Sequence, residues 1–324
     1  MQAALIRVCL GLTLLPLAGA PAMAFSAYVT NEKGNSVTIV DIEKMEAVKT
    51  FPVGKRPRGI VLSPDGARLY VCASDDNVIQ IFDTASLKLI GRIPTSDPEQ
   101  VVLSPDGARL YIANEDDNLI SIFDAATRKP LAEVPVGVEP EGVAVSPDGK
   151  TIVATSETTN MAHFIDAGAR KIVGNVLVGA RPRFALFKPD GSELWVSSEV
   201  GGAVSVIDPA QKKVVAKVEF EIPGLTKEQA QPVGIRMTAD GKTAFVALGP
   251  ANRVAVVDTA TKKVERYLLV GQRVWQLALT PDDKYLLAVN GVTNDVSIID
   301  VAARKVLKSV QVGILPWGVA VTPK

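Results

Sequence analysis

Ser63-Pro64-Asp65-Gly66 spells a type I turn, with Ser capping the first position, Pro presetting φ at the second and Gly tolerated at the fourth. The same four letters return as Ser104-Pro105-Asp106-Gly107 and Ser146-Pro147-Asp148-Gly149. They drift to Lys188-Pro189-Asp190-Gly191, Thr238-Ala239-Asp240-Gly241 and Thr280-Pro281-Asp282-Asp283, and a final Thr322-Pro323 stops at the chain end. The turns begin at 63, 104, 146, 188, 238, 280 and 322, so the period is 41 or 42 residues with one interval of 50. A second series keeps the same step. Val37-Thr38-Ile39-Val40-Asp41 matches Ile79–Asp83, Ile120–Asp124, Ala162–Asp166, Val204–Asp208, Val254–Asp258 and Val296–Asp300. Each run alternates as a strand does and ends on an aspartate suited to an Asx turn, a better account of seven repeated carboxylates than a metal array.

Each unit holds four strand-like runs, for example Gly59–Leu62, Arg68–Val71, Ile79–Asp83 and Lys88–Ile93. Four strands in about 40–45 residues is the sequence pattern of a propeller blade. The expected fold is therefore all-β, a seven-bladed β-propeller of four-stranded antiparallel blades. Ala27–Asn31 reads as a second strand lacking a first, and Pro316–Val321 as a first strand lacking a second. Pairing the N-terminal strands with this C-terminal strand would close the ring and remove two open edges.

Residues 1–24 read differently. Arg7 precedes a short apolar run from Val8 to Leu17, and Ala22-Met23-Ala24 resembles a cleavage site. The expectation is a secretory signal peptide over 1–24, one propeller domain over 25–324, no membrane span, and a periplasmic or secreted location. Cys9 falls with the signal, which leaves Cys72 with no internal partner, in a strand pattern suited to a buried small residue. Lys+Arg and Asp+Glu both number 35, which removes the broad basic field expected of a nucleic-acid binder.

Tyr28-Val29-Thr30-Asn31 has counterparts in Tyr111-Ile112-Ala113-Asn114 and Leu287-Ala288-Val289-Asn290. With the Ser-Pro-Asp-Gly turns and the Val-Gly-x-x-Pro linkers, the mature chain resembles the YVTN family of β-propeller repeats. It also looks like the β-propeller proteins associated with pyrroloquinoline-quinone (PQQ)-dependent catabolism. That likeness implies a non-catalytic periplasmic scaffold, accessory to quinoprotein alcohol oxidation. Its partners would be components of the oxidation or transport systems. It implies no intrinsic cofactor, with PQQ a ligand by family association only, and it carries no catalytic residues to transfer.

Function should lie where the repeats differ. The residue after the linker proline is Arg58, Glu99, Glu141, Arg183, Val233, Trp275 and Trp317 around the ring, with Val274 replacing the proline once. The linkers add Lys55, Arg56, Asp97, Glu139, Arg181 and Arg273. These residues converge on one end of the central channel. Arg58, Arg183 and the two tryptophans would suit a flat anion such as a quinone tricarboxylate, which makes a carrier or sensor of a small anionic ligand the alternative function. The opposite reading is that Arg58–Glu99 and Glu141–Arg183 pair between blades and plug the channel. A second set, Glu32, Asp75, Glu115, Glu157 and Glu199 with Asp76, Asp116 and Asp117, forms an acidic rim that could meet a cationic partner or calcium, or be simply solvated. The extra residues near Glu219–Gln231 read as a lid, a partner contact or a tolerated insertion.

Catalytic constellations are scarce. One histidine, His163, and one mature cysteine leave no Ser-His-Asp set, no Cys-His pair and no soft-metal site. No CxxCH or phosphate-loop spacing occurs. A hydrolase like the lactonase propellers would have to work with carboxylates such as Glu99 and Glu141 and a metal.

Overall fold

The structure is a computed structural model that describes residues 25–323; the expected signal peptide over 1–24 lies outside the described residues. Seven four-stranded antiparallel sheets follow one another around a ring. Blade I is built from Ser26–Asn31, Ser36–Asp41, Glu46–Pro52 and, innermost, Pro316–Val321. Blades II to VII begin with innermost strands Pro57–Leu62, Pro98–Leu103, Pro140–Val145, Pro182–Phe187, Pro232–Met237 and Val274–Leu279. The only other regular elements among the described residues are two short 3₁₀ turns, Ser74–Asp76 and Lys227–Gln229.

The expected closure is present. Ala27 pairs with Val321, Tyr28 with Ala320 and Val29 with Val319. The seam is sealed by Thr322 N–H donating to Ser26 O at 2.9 Å and Ser26 N–H donating to Thr322 Oγ1 at 3.1 Å. The first and last described strands thus fasten each other inside one blade.

Local chemistry explains the regularity. In every blade the aspartate ending the third strand accepts a backbone N–H two or three residues on, from Lys44 for Asp41 and Ser86 for Asp83 through to Ala303 for Asp300. The Ser-Pro-Asp-Gly turns close by Gly66 N–H donating to Ser63 O at 2.8 Å, with Gly66 at φ +70°. Asp283 stands at that left-handed position in the sixth turn (φ +56°), and its side chain accepts the Ala239 N–H of the neighbouring turn at 2.7 Å.

Packing is between blades. Each of the seven blade–blade seams holds its own apolar cluster, such as Tyr28, Val37, Ile39 and Phe51 against Leu62, Leu69, Val71 and Phe82. Cys72 belongs to such a cluster, as expected, and burial pushes its thiol pKa well up. The insertion is anchored by its apolar residues, while Lys227–Gln229 are exposed. Phe220, Ile222 and Ala230 are buried in the seam between blades V and VI, with Leu225 packed on them, because an eight-residue excess rich in apolar side chains gains more by burial than by exposure.

Candidate functional site: an ion network over an apolar channel

The residue before each linker proline or Val274 adopts left-handed backbone geometry: Arg56, Asp97, Glu139, Arg181, Gln231, Arg273 and Leu315, with φ between +32° and +58°. Non-glycine residues resist this region, so something must hold them there. Six are held by an asparagine, itself left-handed, in the turn between the second and third strands of the preceding blade. Asn35, Asn77, Asn118, Asn160, Asn252 and Asn294 accept the N–H of Arg56, Asp97, Glu139, Arg181, Arg273 and Leu315 at 2.8–3.1 Å. In blade V, Gly202 stands in place of this asparagine. These clamps aim Arg56, Arg181 and Arg273 over the linker-face end of the channel.

There the sequence candidates meet. Arg58 pairs with Glu99 of the next blade and lies 3.9 Å from Glu141 of the blade beyond. Arg183 reaches Glu141 at 3.1 Å, pairs with Glu157 and lies 3.5 Å from Glu199. Arg56 bonds Asp97 at 3.0 Å and Glu99 at 2.8 Å, Arg181 bonds Glu157 at 2.7 Å, and Arg273 bonds Glu199 at 2.6 Å. Glu32 lies 3.4 Å from Arg58. Arg58 sits over Trp317 (5.5 Å), while Trp275 lies under both Arg273 (4.1 Å) and Arg183 (5.8 Å). Glu99, Glu141, Arg183 and Trp317 are all less than 5% exposed.

Asp75, exposed, is 3.9 Å from Arg56. Within the network proper, five guanidiniums face seven carboxylates: Glu32, Asp97, Glu99, Glu115, Glu141, Glu157 and Glu199. Two of the seven carboxyl groups have raised pKa values. Burial, then the neighbouring Glu141, pushes the Glu99 pKa well above the usual carboxylate range. Burial pushes Glu157 up to about 7, against the pull of Arg183. Burial also works against charge on Glu141, but Arg183 and Arg58 outweigh it and hold its pKa below the ordinary value. The pairing expected between blades is what the geometry displays.

The acidic rim departs from expectation. Asp75, Asp76, Asp116 and Asp117 are exposed. Glu157 and Glu199, grouped with Asp75 as a partner-facing rim, are buried instead and point into the network, because Arg181, Arg183 and Arg273 draw them inward. Glu115 and Glu32 are half-buried at its edge. Asp97, Glu99 and Glu115 bring one carboxylate oxygen each within 4.8 Å of one another, a cation-sized cluster, but Arg56 reaches all three at 2.8–4.0 Å. His163 lies on a third strand, as expected. Its Nε2 accepts the Gly137 N–H at 3.0 Å, so Nδ1 carries the proton and donates to Asn175 Oδ1 at 2.8 Å, and burial lowers its pKa.

A family model described as the choice-of-anchor I domain matches residues 116–285, more than half of the chain. The chain belongs to the choice-of-anchor I domain family. A second model, the lactonase seven-bladed β-propeller, matches residues 23–132. None of the curated proteins matches the chain. Three solved structures share the fold with this choice-of-anchor I chain. Hydrazine synthase of Kuenenia stuttgartiensis is 24% identical with a TM-score of 0.77, over 85% of this chain and 92% of that one. A functionally unknown protein from Desulfotomaculum acetoxidans DSM 771 is 15% identical with a TM-score of 0.79, over 92% and 99%. The dihydro-heme d1 dehydrogenase NirN, in complex with DHE, is 16% identical with a TM-score of 0.69, over 91% and 74%.

Below the network the channel changes character. A cavity of about 350 Å³ is lined from all seven innermost strands. The third residues of those strands include Gly59, Gly142, Gly234 and Gly318. A Cβ at Gly59 would come within 2.6 Å of Glu99 O and one at Gly318 within 2.4 Å of Arg58 O, so only glycine lets these strands approach at the axis. The fifth residues are Val61, Val102, Ala144, Leu186, Arg236, Ala278 and Ala320. Reading this second tier as carefully as the first would have found Arg236, a lone cation in an apolar ring.

Proposed function

We propose that the protein is a non-catalytic binding or scaffold propeller, periplasmic or secreted, accessory to PQQ-dependent alcohol oxidation. The carrying observation is that the charges at the channel mouth pair with one another. This pairing spends Arg58, Arg183, Glu99 and Glu141 on one another, which favours a scaffold over a PQQ carrier at that mouth: a tricarboxylate would meet seven carboxylates there and no free guanidinium. The exposed Asp75, Asp76, Asp116 and Asp117 on adjoining blades II and III form the surface we assign to a cationic partner protein. The quinoprotein association is supported by the YVTN-like repeats, and the location by the signal-like residues 1–24. No helix among the described residues is long and apolar enough to cross a membrane.

The test is surface binding of a purified PQQ-dependent alcohol dehydrogenase, and separately of its electron-accepting protein, to the mature propeller. Saturable binding that weakens with salt and is lost in Asp75→Lys/Asp116→Lys/Asp117→Lys supports the reading. No binding of either protein at low salt sinks it.

The lactonase model match and the Asp97, Glu99 and Glu115 cluster favour a second reading, a metal-dependent lactone hydrolase. In that case a calcium-loaded sample would hydrolyse a γ- or δ-lactone, chelation would stop it, and Glu115→Gln would reduce it.

A further inference from the structure

The lower channel has features that neither a plug nor a scaffold requires. Its roof is Trp317 with Gln100 and Gln276, and its walls include Val61, Val102, Leu186 and Phe187. A second cavity shares Ile60, Val61, Arg236 and Val319 with it and continues past Ser63, Pro64 and Pro323. The shaft therefore runs from the tryptophan roof to the face that carries the proline turns.

Arg236 projects into this shaft. Its Nη1 donates to Ile235 O at 2.7 Å, and its guanidinium carbon lies 5.0 Å over the Phe184 ring. Among the described residues no carboxylate lies within pairing distance. Burial alone, with no charged neighbour contributing, pushes its pKa down to about 10. Every other channel arginine described above is neutralised by at least one glutamate. The buried Gln276 Oε1 beside this cavity also lacks a hydrogen-bond partner. Arg236 is half-buried with most of its donors unused, and at this position six blades manage with Val, Leu or Ala.

We propose that the lower channel binds a small monocarboxylate with an apolar body, entering from the turn face, its hydrocarbon against Val61, Val102 and Leu186 and its carboxylate on Arg236. One cation specifies one negative charge, because a second charge would be buried unpaired. About 350 Å³ falls at the small end of ligand pockets, which suits a medium-chain aliphatic or single-ring aromatic acid. This site is separate from the acidic surface and from the ion network, so it stands or falls independently of any partner protein.

The probe is sodium octanoate, with octan-1-ol as its neutral counterpart, titrated calorimetrically into the mature protein. Octanoate should bind one to one and octan-1-ol at least ~10-fold more weakly, the margin of a charge-assisted hydrogen bond. Arg236→Met should weaken octanoate ~10- to 100-fold while leaving the ligand-free melting temperature equal or higher, since it restores the apolar ring. Arg236→Lys should keep part of the preference. Absence of saturable octanoate binding, equal binding of acid and alcohol, or an Arg236→Met variant that binds octanoate like wild type would each overturn the proposal. Should Arg236→Met fail to fold, the ratio of octanoate to octan-1-ol affinity in the wild type decides it by the same criterion.

Discussion

Arg183 anchors the ion network, and its removal gives the sharpest test of how the channel mouth is held. The side chain is 4% exposed and is surrounded by Glu141, Glu157 and Glu199. Arg183→Met keeps most of the volume and removes the charge, which leaves Glu141 buried with only Arg58 at 3.9 Å. Breaking a buried pair by deleting one partner costs about 3–5 kcal/mol. For roughly 300 ordered residues the unfolding entropy is about 0.6 kcal/mol per kelvin, so the melting temperature at pH 8 should fall by about 5–8 °C. The loss must shrink toward pH 5.5. Glu141, whose folded-state pKa is held below the ordinary value, stays charged across this range, so the shrinkage comes from Glu157, which is pushed up to about 7 and gives up its ion pair with Arg183 as it takes up a proton. In the variant, protonation relieves the orphaned acids. Glu141→Gln in the Arg183→Met background should cost less than the sum of the two single changes, by at least about 1 kcal/mol. Differential scanning calorimetry at the two pH values measures all of this. A shift below about 2 °C at pH 8, or one independent of pH, would refute the idea that these charges are buried and mutually dependent.

Three further outcomes follow from the same structure. Glu157, pushed up to about 7, and Glu99, also raised, bind protons more tightly folded than unfolded, so wild-type stability should rise as pH falls from 8 toward 5.5, and Glu157→Gln should flatten that slope in a thermal-melt series. Truncation after Val312 removes the innermost strand of blade I and leaves Ala27–Val29 with an open edge; the whole ring should melt at least 10 °C lower and aggregate on heating, and a local loss of signal with unchanged melting would contradict closure by that strand. Cys72, fully buried with its thiol pKa pushed up, should be silent to a thiol-reactive chromophore in the native state and react stoichiometrically in denaturant; rapid native labelling would show that the seam between blades II and III is open.

Blade number, strand order within a blade and ring closure were readable from residue types because each is encoded over a few positions. Ser63-Pro64-Asp65-Gly66 sets its own φ angles, Asp83 caps its own turn, and Ala27–Asn31 declares itself a strand without a neighbour. The αL asparagines at Asn35, Asn77 and their four counterparts are local turn residues, but their bonds to the linker N–H groups form between blades and belong to the tertiary structure. That Arg58, Glu99, Glu141 and Arg183 share one end of the channel also followed from repeat alignment. Whom each arginine meets did not. Side chains from Pro57–Leu62, Pro140–Val145 and Pro182–Phe187 touch only because the channel is narrow, and its width comes from the glycines and the packing of seven blades together. Burial of Glu157 and Glu199 depends on where arginines one or two linkers away can reach, and the isolation of Arg236 on there being no carboxylate in a shaft walled by six other blades. Turn chemistry acts over four residues and is written in the chain. Pairing and desolvation across the axis act over tens to hundreds of residues, and only the closed ring decides them.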